Sequence, residues 1–362
     1  MPDLKKFEDG IFGMIRPEDW LNVGYDIARP NDPTGEVWGD VKTDNLVAYW
    51  ESMAAEYNIP VMAQFHAFDT EAQKALRVPI DVHNIEKGLI KVKIDQSERL
   101  RAVIGRGVNS ESALYNKVLD DGFNLADDVF TRSVVAKNEV LMTGQMTIVE
   151  NNLNLTVDYG VPAANLQKTL DFGAGASAPL DEQLLALKEE STGKGAPIDT
   201  LYTTSADFNR LRKDENIQKA VNGAMMVGQL VRNADLRAYL SSEFGINRIL
   251  LQDGVYSLPL TMGSNGRPVV NTRPLYKSGL YTFLHTNGGK VGDGLWGDPP
   301  EVSAAKYGLD VSTSEVSPYV YVSQYTEKDP AVTWTKASAL FMPALYNPNA
   351  IYVAAYANTT AG

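Results

Sequence analysis

The chain has 362 residues, a formal net charge of -12, a pI near 4.8 and no cysteine. This charge disfavours a protein whose whole surface binds nucleic-acid phosphates, and the lack of thiols excludes disulfides and thiolate metal sites. No apolar run approaches the roughly twenty residues of a membrane span, and the N-terminal residues lack the apolar core of a secretion signal.

The first 58 residues are predicted to form an arm that contains one helix. Repeated glycines and prolines interrupt residues 1–35, a pattern typical of irregular chain. Asp44 is well placed to cap a helix over residues 45–57, whose apolar face would include Tyr49 and Trp50.

Residues 60–100 show the alternation of extended chain. In the run L-I-K-V-K-I-D, which begins at Leu89, apolar residues alternate with lysine and aspartate, as in a half-buried strand. Together with an apolar run over residues 61–68, this pattern predicts the two long strands of a hairpin, with a turn at Lys87 and Gly88.

A long amphipathic helix is predicted from Ser110 to about Met142. No proline interrupts it, charged residues such as Lys137 fill one side, and apolar residues recur at helical spacing on the other. The two apolar rows consist of Leu114, Val118, Leu125 and Val129, and of Leu119, Phe123, Ala126, Phe130 and Val134. At about 1.5 Å per residue the helix would span roughly 50 Å, which suits a protein that bridges its neighbours better than a compact enzyme.

A hairpin and a linker are predicted after this helix. Gly144 is expected to end the helix, and apolar alternation predicts a hairpin of residues 146–149 and 153–157. The run G-A-G-A-S-A-P at residues 173–179 is typical of a boundary between two structural units.

Short helices and strands are predicted beyond this linker. A helix over 179–190, a buried strand over 198–203 and a helix over 206–221 come first, the last capped by Ser205 and with Phe208, Leu211 and Ile217 turned inward. Strands follow at residues 248–252, 255–260, 279–284, 319–325, 338–342 and 349–356, and the glycine-rich stretch 285–297 is interpreted as a loop. The segregation of helices and strands predicts an α+β fold.

Motifs for catalysis or cofactor binding are weak in this sequence. The histidines His66, His83 and His285 lie in different segments without zinc-ligand spacing. The glycines at 173 and 175 imitate a dinucleotide fingerprint, but Pro179 interrupts the helix that such a site needs. Neither a phosphate-binding loop nor a G-x-S-x-G motif occurs. We therefore predict no enzymatic activity, no metal and no cofactor.

Two aspartate pairs of the long helix are spaced seven residues apart, at Asp120 and Asp121 and at Asp127 and Asp128. Paired carboxylates can bind a metal or transfer protons. The oxygen-rich loop of a calcium site is absent, however, so the interpretation that we favour is a solvated helix face or a surface that meets basic residues of a neighbour.

Residues 77–94, 134–162 and 329–356 carry a resemblance to the major capsid proteins of tailed bacteriophages, specifically the lambda-type major capsid protein E family. The most typical marks are the helix end near Gly144, followed by a strand, and the M-P-x-x-x-x-P pattern that starts at Met342. The resemblance extends from about Pro60 to Tyr356.

The resemblance implies a subunit of five parts. These are an N-terminal arm (1–58), an extended hairpin loop (59–106), a peripheral domain with the long helix as its spine (107–164), an axial domain (165–318) and return strands of the peripheral domain (319–362). The hairpin 145–158 and the strands of 319–356 would form the sheet of the peripheral domain. The extended loop would lie over an adjacent subunit, and axial domains would meet around five-fold and six-fold centres.

The resemblance also implies a function and partners. The chain would be a structural protein that self-assembles as pentamers and hexamers into the icosahedral shell of a phage virion, in the cytoplasm of the host bacterium. Portal, scaffold and decoration proteins and the packaged double-stranded DNA would be its partners, without any membrane. Three alternatives stay open: a cellular nanocompartment shell of the same fold, a tail or tube subunit, and a metal enzyme that uses the acidic helix residues.

Charged residues of the hairpin and the helix are candidates for contacts between subunits. Charge pairs set the register of repeated interfaces, and a two-stranded hairpin is marginally stable alone. The candidates are Lys91, Lys93, Arg99, Arg101, Arg106, Asp120, Asp121, Asp127 and Asp128.

Overall fold

The computed structural model describes residues 32–53, 62, 80–96, 110–150, 153–172, 178–223, 225, 228–259, 261–262, 267–302, 312–317, 319–328 and 331–358. Several sequence predictions concern residues outside these ranges. They include most of the arm, most of the strand 61–68, the linker glycines, His66, Arg99, Arg101 and Arg106.

Seven α-helices form within the described residues, followed late in the chain by a 3₁₀ turn at Pro348–Ala350. They are α1 (Thr34–Val37), α2 (Ser110–Thr143), α3 (Ala163–Leu166), α4 (Leu180–Gly193), α5 (Ser205–Lys213), α6 (Glu215–Asn222) and α7 (Asn233–Phe244). The helix α2 is the predicted long helix, which is thereby confirmed.

Two larger sheets and four two-stranded ones contain the described strands. The first sheet consists of β1 (Trp38–Lys42), β4 (Gly88–Gln96), β15 (Gly292–Gly297), β16 (Ser312–Ser317), β17 (Val320–Lys328) and β18 (Ala331–Leu345). The second consists of β7 (Lys168–Phe172), β8 (Thr200–Thr203), β9 (Arg248–Leu251), β14 (Leu280–Leu284) and β19 (Ile351–Asn358). The two-stranded sheets are β2 (Val47–Met53) with β3 (Ile80–Glu86), β5 (Gln145–Glu150) with β6 (Leu153–Asp158), β10 (Val255–Ser257) with β13 (Thr272–Pro274), and β11 (Thr261–Met262) with β12 (Pro268–Val269).

The long helix packs its apolar face on the first sheet. Leu125, Val129 and Val140 are buried there beside residues of β17 and β18, as the helical spacing predicts. The helix ends at Gly144, which has a φ of +68° and donates its N–H to Val140 O at 2.8 Å. A left-handed φ at this position favours glycine, because other residues lose free energy there.

The helices α4 to α7 pack on the second sheet and form a separate core with it. Phe208, Leu211 and Ile217 are buried in this core, as predicted. They do not lie on one continuous helix, because the chain becomes extended at Asp214, whose carboxylate accepts the N–H groups of Asn216 and Ile217 and begins α6. Thr204, not Ser205, caps α5.

The predicted helix over residues 45–57 is wrong, because Val47–Met53 is strand β2. Trp50 is buried and Tyr49 is exposed, which is the alternation of a strand. Two adjacent aromatic residues fit the period of a helix or that of a strand. Pairing with Ile80–Glu86 decides that these residues form a strand.

The stretch 285–297 is also more than a loop, because it contains strand β15 in the middle of the first sheet. Its glycines allow close packing. A Cβ atom on Gly294 would lie 2.6 Å from Asp40 Oδ1 and 2.7 Å from Phe341 Cε2. Glycine is therefore required here by proximity to side chains and not by a turn.

The predicted hairpin of residues 60–100 stays a prediction, because its first strand, over residues 61–68, lies almost entirely outside the described residues. Its second strand, β4, pairs with β18, from Gly88 opposite Phe341 to Gln96 opposite Thr333. The predicted turn at Lys87 and Gly88 does not close a hairpin, because β3 and β4 on either side of it lie in different sheets. Strands β2 and β3 form an antiparallel pair, called the β2–β3 hairpin, with Val47 opposite Glu86.

Sheet membership also differs from what the resemblance implies. The β5–β6 hairpin forms a sheet of its own, and β19 lies in the second sheet between β7 and β14. The 3₁₀ turn at Pro348–Ala350 separates β18 from β19, so the two strands enter different sheets. Segments that are distant in sequence therefore mix in both cores, and the five predicted parts stay a prediction.

Candidate assembly surfaces

A buried ion pair fastens the first strand to the long helix. Lys137 Nζ lies 2.7 Å from Asp40 Oδ1, and this oxygen also accepts a hydrogen bond from Trp296 Nε1 at 2.5 Å. Burial lowers the pKa of Lys137, and the neighbouring carboxylate of Asp40 opposes that shift. The prediction that Lys137 lies on the charged, outer side of the long helix is wrong, because its side chain is buried beside strand β1.

A buried polar network joins the second sheet and the long helix to the segment before β1. Asn138 Nδ2 donates to Thr34 Oγ1 at 3.0 Å, and Tyr202 OH donates to Asn138 Oδ1 at 2.8 Å. Gln252 Nε2 donates to Asp32 Oδ1 at 2.7 Å. No local motif predicts these contacts, because the partners come from four distant parts of the sequence. These hydrogen bonds hold the long helix, the second sheet and the segment before β1 in one fixed arrangement.

The base of the β2–β3 hairpin is held by one lysine. Lys87 Nζ donates to the carbonyl oxygens of Thr43 at 2.9 Å, Asn45 at 2.6 Å and Trp296 at 3.0 Å. Burial lowers the pKa of Lys87. Since these carbonyl groups belong to the hairpin base and to β15, the lysine anchors the hairpin to the first sheet.

The two faces of this hairpin differ. On the inner face, Trp50 stacks on His83 with ring centroids 4.8 Å apart and lies 5.9 Å from the Tyr159 ring. On the outer face, Tyr49 and Val82 are each 54% exposed. The body of the subunit thus covers one face of the hairpin and leaves Tyr49 and Val82 exposed on the other, beside the exposed Glu51 and Asn84.

A groove of about 280 Å³ lies between β4, the long helix and the β5–β6 hairpin. Its apolar lining includes Ile90, Met146 and Ile148. Its polar lining consists of Lys91, Arg132 and Glu150, and the last two form an ion pair at 3.4 Å. Beside it, Val149 and Leu153 are exposed on the β5–β6 hairpin.

The predicted lysines lie on β4 and therefore in the first sheet, not on a free hairpin. Lys91 is exposed and lines the groove. Lys93 Nζ lies 3.8 Å from the centroid of the Trp334 ring, a cation–π contact within the subunit. Lys91 is thus the better placed of the two for a contact with another subunit.

The aspartates of the long helix do not share one solvated face. Asp120 and Asp128 are exposed and Asp127 is half-buried, whereas Asp121 is only 6% exposed. Adjacent residues of a helix point about 100° apart, so the two members of a pair meet different surroundings. Asp121 is therefore not on an outer contact surface of this subunit.

The described residues contain no group of three or more His, Asp or Glu side chains arranged to hold a metal ion. Of the described helices, none is long and apolar enough to cross a membrane. His83 Nε2 lies 2.8 Å from Ser52 Oγ, and His285 Nδ1 lies 2.6 Å from Pro197 O.

The fold matches solved structures of phage origin along nearly the whole chain. A protein assigned as the capsid protein of an E. coli CFT073 prophage is 11% identical and has a TM-score of 0.56, over 95% of this chain and 99% of that one. A phage-related protein of Bordetella bronchiseptica RB50 is 10% identical with a TM-score of 0.49, over 94% and 97%. The capsid of Myoviridae phage XM1 is 12% identical with a TM-score of 0.45, over 96% and 100%.

The predicted α+β fold of a phage capsid protein is confirmed by the similarity to the E. coli prophage protein. At this identity the likeness establishes the fold alone. No protein-family model matches the sequence, and no curated protein matches it. The narrower lambda-type assignment stays a prediction.

Proposed function

We propose that this chain is the major capsid subunit of a tailed bacteriophage and that it self-assembles as pentamers and hexamers into a closed icosahedral shell. The observation that carries the proposal is the shared fold with a prophage capsid protein over nearly the full length of both chains. The proposed role is structural and involves neither catalysis nor a cofactor.

Outer surfaces of the subunit support this role. The outer face of the β2–β3 hairpin exposes Tyr49 and Val82, and the β5–β6 hairpin exposes Val149. Apolar side chains exposed in this way on strands suit a surface that another molecule covers. We assign the extended loop that lies over an adjacent subunit to a hairpin whose described strands are β2 and β3.

Charged residues near these exposed side chains would set the register between subunits. Lys91 lines the groove beside the long helix, and Asp120 and Asp128 are exposed on that helix. Lys93 is a weaker candidate because Trp334 already contacts its ammonium group. Arg99, Arg101 and Arg106 remain candidates outside the described residues.

The proposal extends to the partners of the shell. A phage shell encloses double-stranded DNA, so the chain would work with portal and scaffold proteins, and with decoration proteins where the shell has them. Assembly would take place in the cytoplasm of the host bacterium, and the product would be part of the virion.

Electron microscopy of the purified protein tests the proposal. We expect closed particles or five-fold and six-fold capsomers in negative stain, and matching fast-sedimenting species in analytical ultracentrifugation. A chain that stays monomeric at millimolar concentration, with or without its scaffold protein, would contradict it. An enzyme of the host inside the particles, in place of phage DNA, would favour the nanocompartment shell.

A charge reversal at the groove tests the register contact. Lys91→Glu should reduce the yield of particles while leaving the melting temperature of the monomer unchanged, because Lys91 is exposed. Lys213→Glu, at an exposed position at the end of α5, is the control that makes the same change in charge. Equal yields from the two variants would remove Lys91 from the contact.

A further inference from the structure

The outer face of the β2–β3 hairpin is exposed over residues 47–51 and 82–86. Six side chains share this face in three cross-strand pairs: Val47 with Glu86, Tyr49 with Asn84, and Glu51 with Val82. All six are exposed, because alternate residues of a strand point to opposite faces and the body of the subunit covers the other face. One partner surface can therefore contact all of them together.

This outer face is apolar in its middle and acidic at both ends. Val47 is 41% exposed, and Tyr49 and Val82 are each 54% exposed. Glu51 Oε1 accepts a hydrogen bond from Tyr49 OH at 2.8 Å, whereas Glu86 forms no ion pair with any residue that the structure describes. A partner for this face therefore needs an apolar surface with a positive charge beside it.

The groove between β4, the long helix and the β5–β6 hairpin has this composition. Ile148 on its wall is half-buried, and Leu153 at its edge is 47% exposed. Arg132 and Glu150 neutralise each other in an ion pair at 3.4 Å. Lys91 is exposed and forms no ion pair within the described part of the chain, so the groove has a net positive charge.

The hairpin is fixed so that its outer face points away from its own subunit. Lys87 Nζ holds the base of the hairpin through the carbonyl oxygens of Thr43, Asn45 and Trp296. The buried ring of Trp50 holds the inner face on the body of the subunit. Only the groove of another molecule is therefore available to the outer face.

We propose that the outer face of the β2–β3 hairpin docks in this groove of the next copy of the chain. Three contacts make up the docking: Tyr49 with Ile148, Glu86 with Lys91, and Val82 with Leu153. The inference rests on the proposed capsid function and names the surface that receives the extended loop.

The three contacts can form at the same time. Tyr49 lies opposite Asn84, so Glu86 and Val82 are its two diagonal neighbours on the outer face. An aromatic side chain that fills a groove supplies most of the energy of such a contact, and a charge pair at the rim sets its register. Since the two surfaces differ, the contact is head-to-tail and closes into a ring when the rotation allows.

A second copy fits the outer face better than nucleic acid does. The carboxylates of Glu51 and Glu86 repel phosphate groups. Each copy of the chain, by contrast, provides one hairpin and one groove, so every surface in a closed shell of identical subunits finds its partner.

Cysteine cross-linking tests the contact directly, because the natural chain has no cysteine. The double variant Val82→Cys with Leu153→Cys keeps the aromatic and the charged contact. It should form disulfides between subunits and give a ladder of oligomers on a non-reducing gel. Val82→Cys with Leu185→Cys, whose second site is exposed on α4, should not.

Truncation of the aromatic side chain provides the second measurement. Tyr49→Ala should abolish particles in sedimentation and leave the unfolding midpoint of the monomer unchanged, because the side chain is exposed in the subunit. Tyr49→Phe keeps the ring and should keep the particles.

Charge exchange provides the third measurement. Glu86→Lys and Lys91→Glu should each reduce the yield of particles, and the two substitutions together should restore it. Glu189→Lys and Lys213→Glu make the same changes in charge at exposed sites of α4 and α5 and should leave assembly intact.

Each outcome decides between the proposals. Particles from the wild-type chain, without a ladder and with Tyr49→Ala still assembling, would overturn the docking contact and leave the capsid function standing. A wild-type chain that never assembles would overturn both. If Lys91→Glu fails to assemble while Glu86→Lys assembles normally, the groove receives another segment and the hairpin is not its occupant.

Discussion

The β2–β3 hairpin and the pair of strands β10 and β13 have the same secondary structure but opposite surroundings. The body of the subunit covers the inner face of the hairpin through Trp50 and anchors its base through Lys87. In the β10–β13 pair, by contrast, every residue except the half-buried Tyr256 is exposed. The difference shows that strand pairing alone does not tell which ribbon the subunit stabilises and which one is available to a neighbour.

The largest effect on the isolated subunit should come from the inner face of the hairpin. Trp50→Ala removes the stack on His83 and the contact with Tyr159. We expect it to lower the free energy of unfolding by about 3–5 kcal/mol, as for other buried aromatic residues. Urea denaturation of the monomer measures this loss. The neighbouring Tyr49→Ala, on the exposed face, is the control and should leave the midpoint unchanged; similar losses from both would mean that the outer face is covered too.

Removal of Asp40 should have the next largest effect. Asp40→Ala leaves the buried ammonium group of Lys137 without its carboxylate and Trp296 Nε1 without its acceptor. Breaking a buried pair in this way should cost about 3 kcal/mol. Thermal unfolding of Asp40→Ala and of the double variant Asp40→Leu with Lys137→Met separates the causes. The double variant should recover much of the loss, and no recovery would show that packing, not charge, sets the stability.

A smaller effect is expected from overpacking at strand β15. In Gly294→Ala the new methyl group would meet Asp40, Phe341 and Lys137 at 2.6–2.9 Å. Overpacking of this kind costs about 1–3 kcal/mol. Gly193→Ala is the matched control, since nothing lies within 4 Å of the added carbon there. If Gly294→Ala is as stable as the control by urea denaturation, the side chains around Gly294 can move to accommodate the methyl group.

The smallest effect on subunit stability should come from Val270, which follows strand β12. Val270→Ser changes a side chain that is 62% exposed, so the free energy of unfolding should change by less than about 0.5 kcal/mol. Urea denaturation of the monomer measures this change. A marked loss of stability would mean that the subunit itself covers this side chain.

Local sequence patterns predicted the elements whose periodicity is long and unambiguous. The long helix has many apolar residues at helical spacing and a glycine at its C-terminal end, and both its span and its stop are confirmed. The β5–β6 hairpin is confirmed as well, with Met146 opposite Val157. In these places each residue and its partner lie close in sequence, so local chemistry is sufficient.

Prediction failed where a distant segment decides the conformation. Residues 47–53 are a strand because Ile80–Glu86 pairs with them, and Gly292–Gly297 is a strand because β1 and β18 lie on either side of it. Strand propensity depends on such neighbours. Of the candidate contact residues, Lys91 is indeed exposed, whereas Asp121 is buried.

The sequence by itself determined the long helix, the fold class and the lack of thiol chemistry, because these depend on residue types and on spacing within one segment. Only the tertiary structure decided that Lys137 and Lys87 are buried and that β4 belongs to the first sheet, since each depends on a partner far away in the chain. It also decided which apolar strands remain uncovered, because burial follows from the packing of all segments together and not from the hydrophobicity of any one of them.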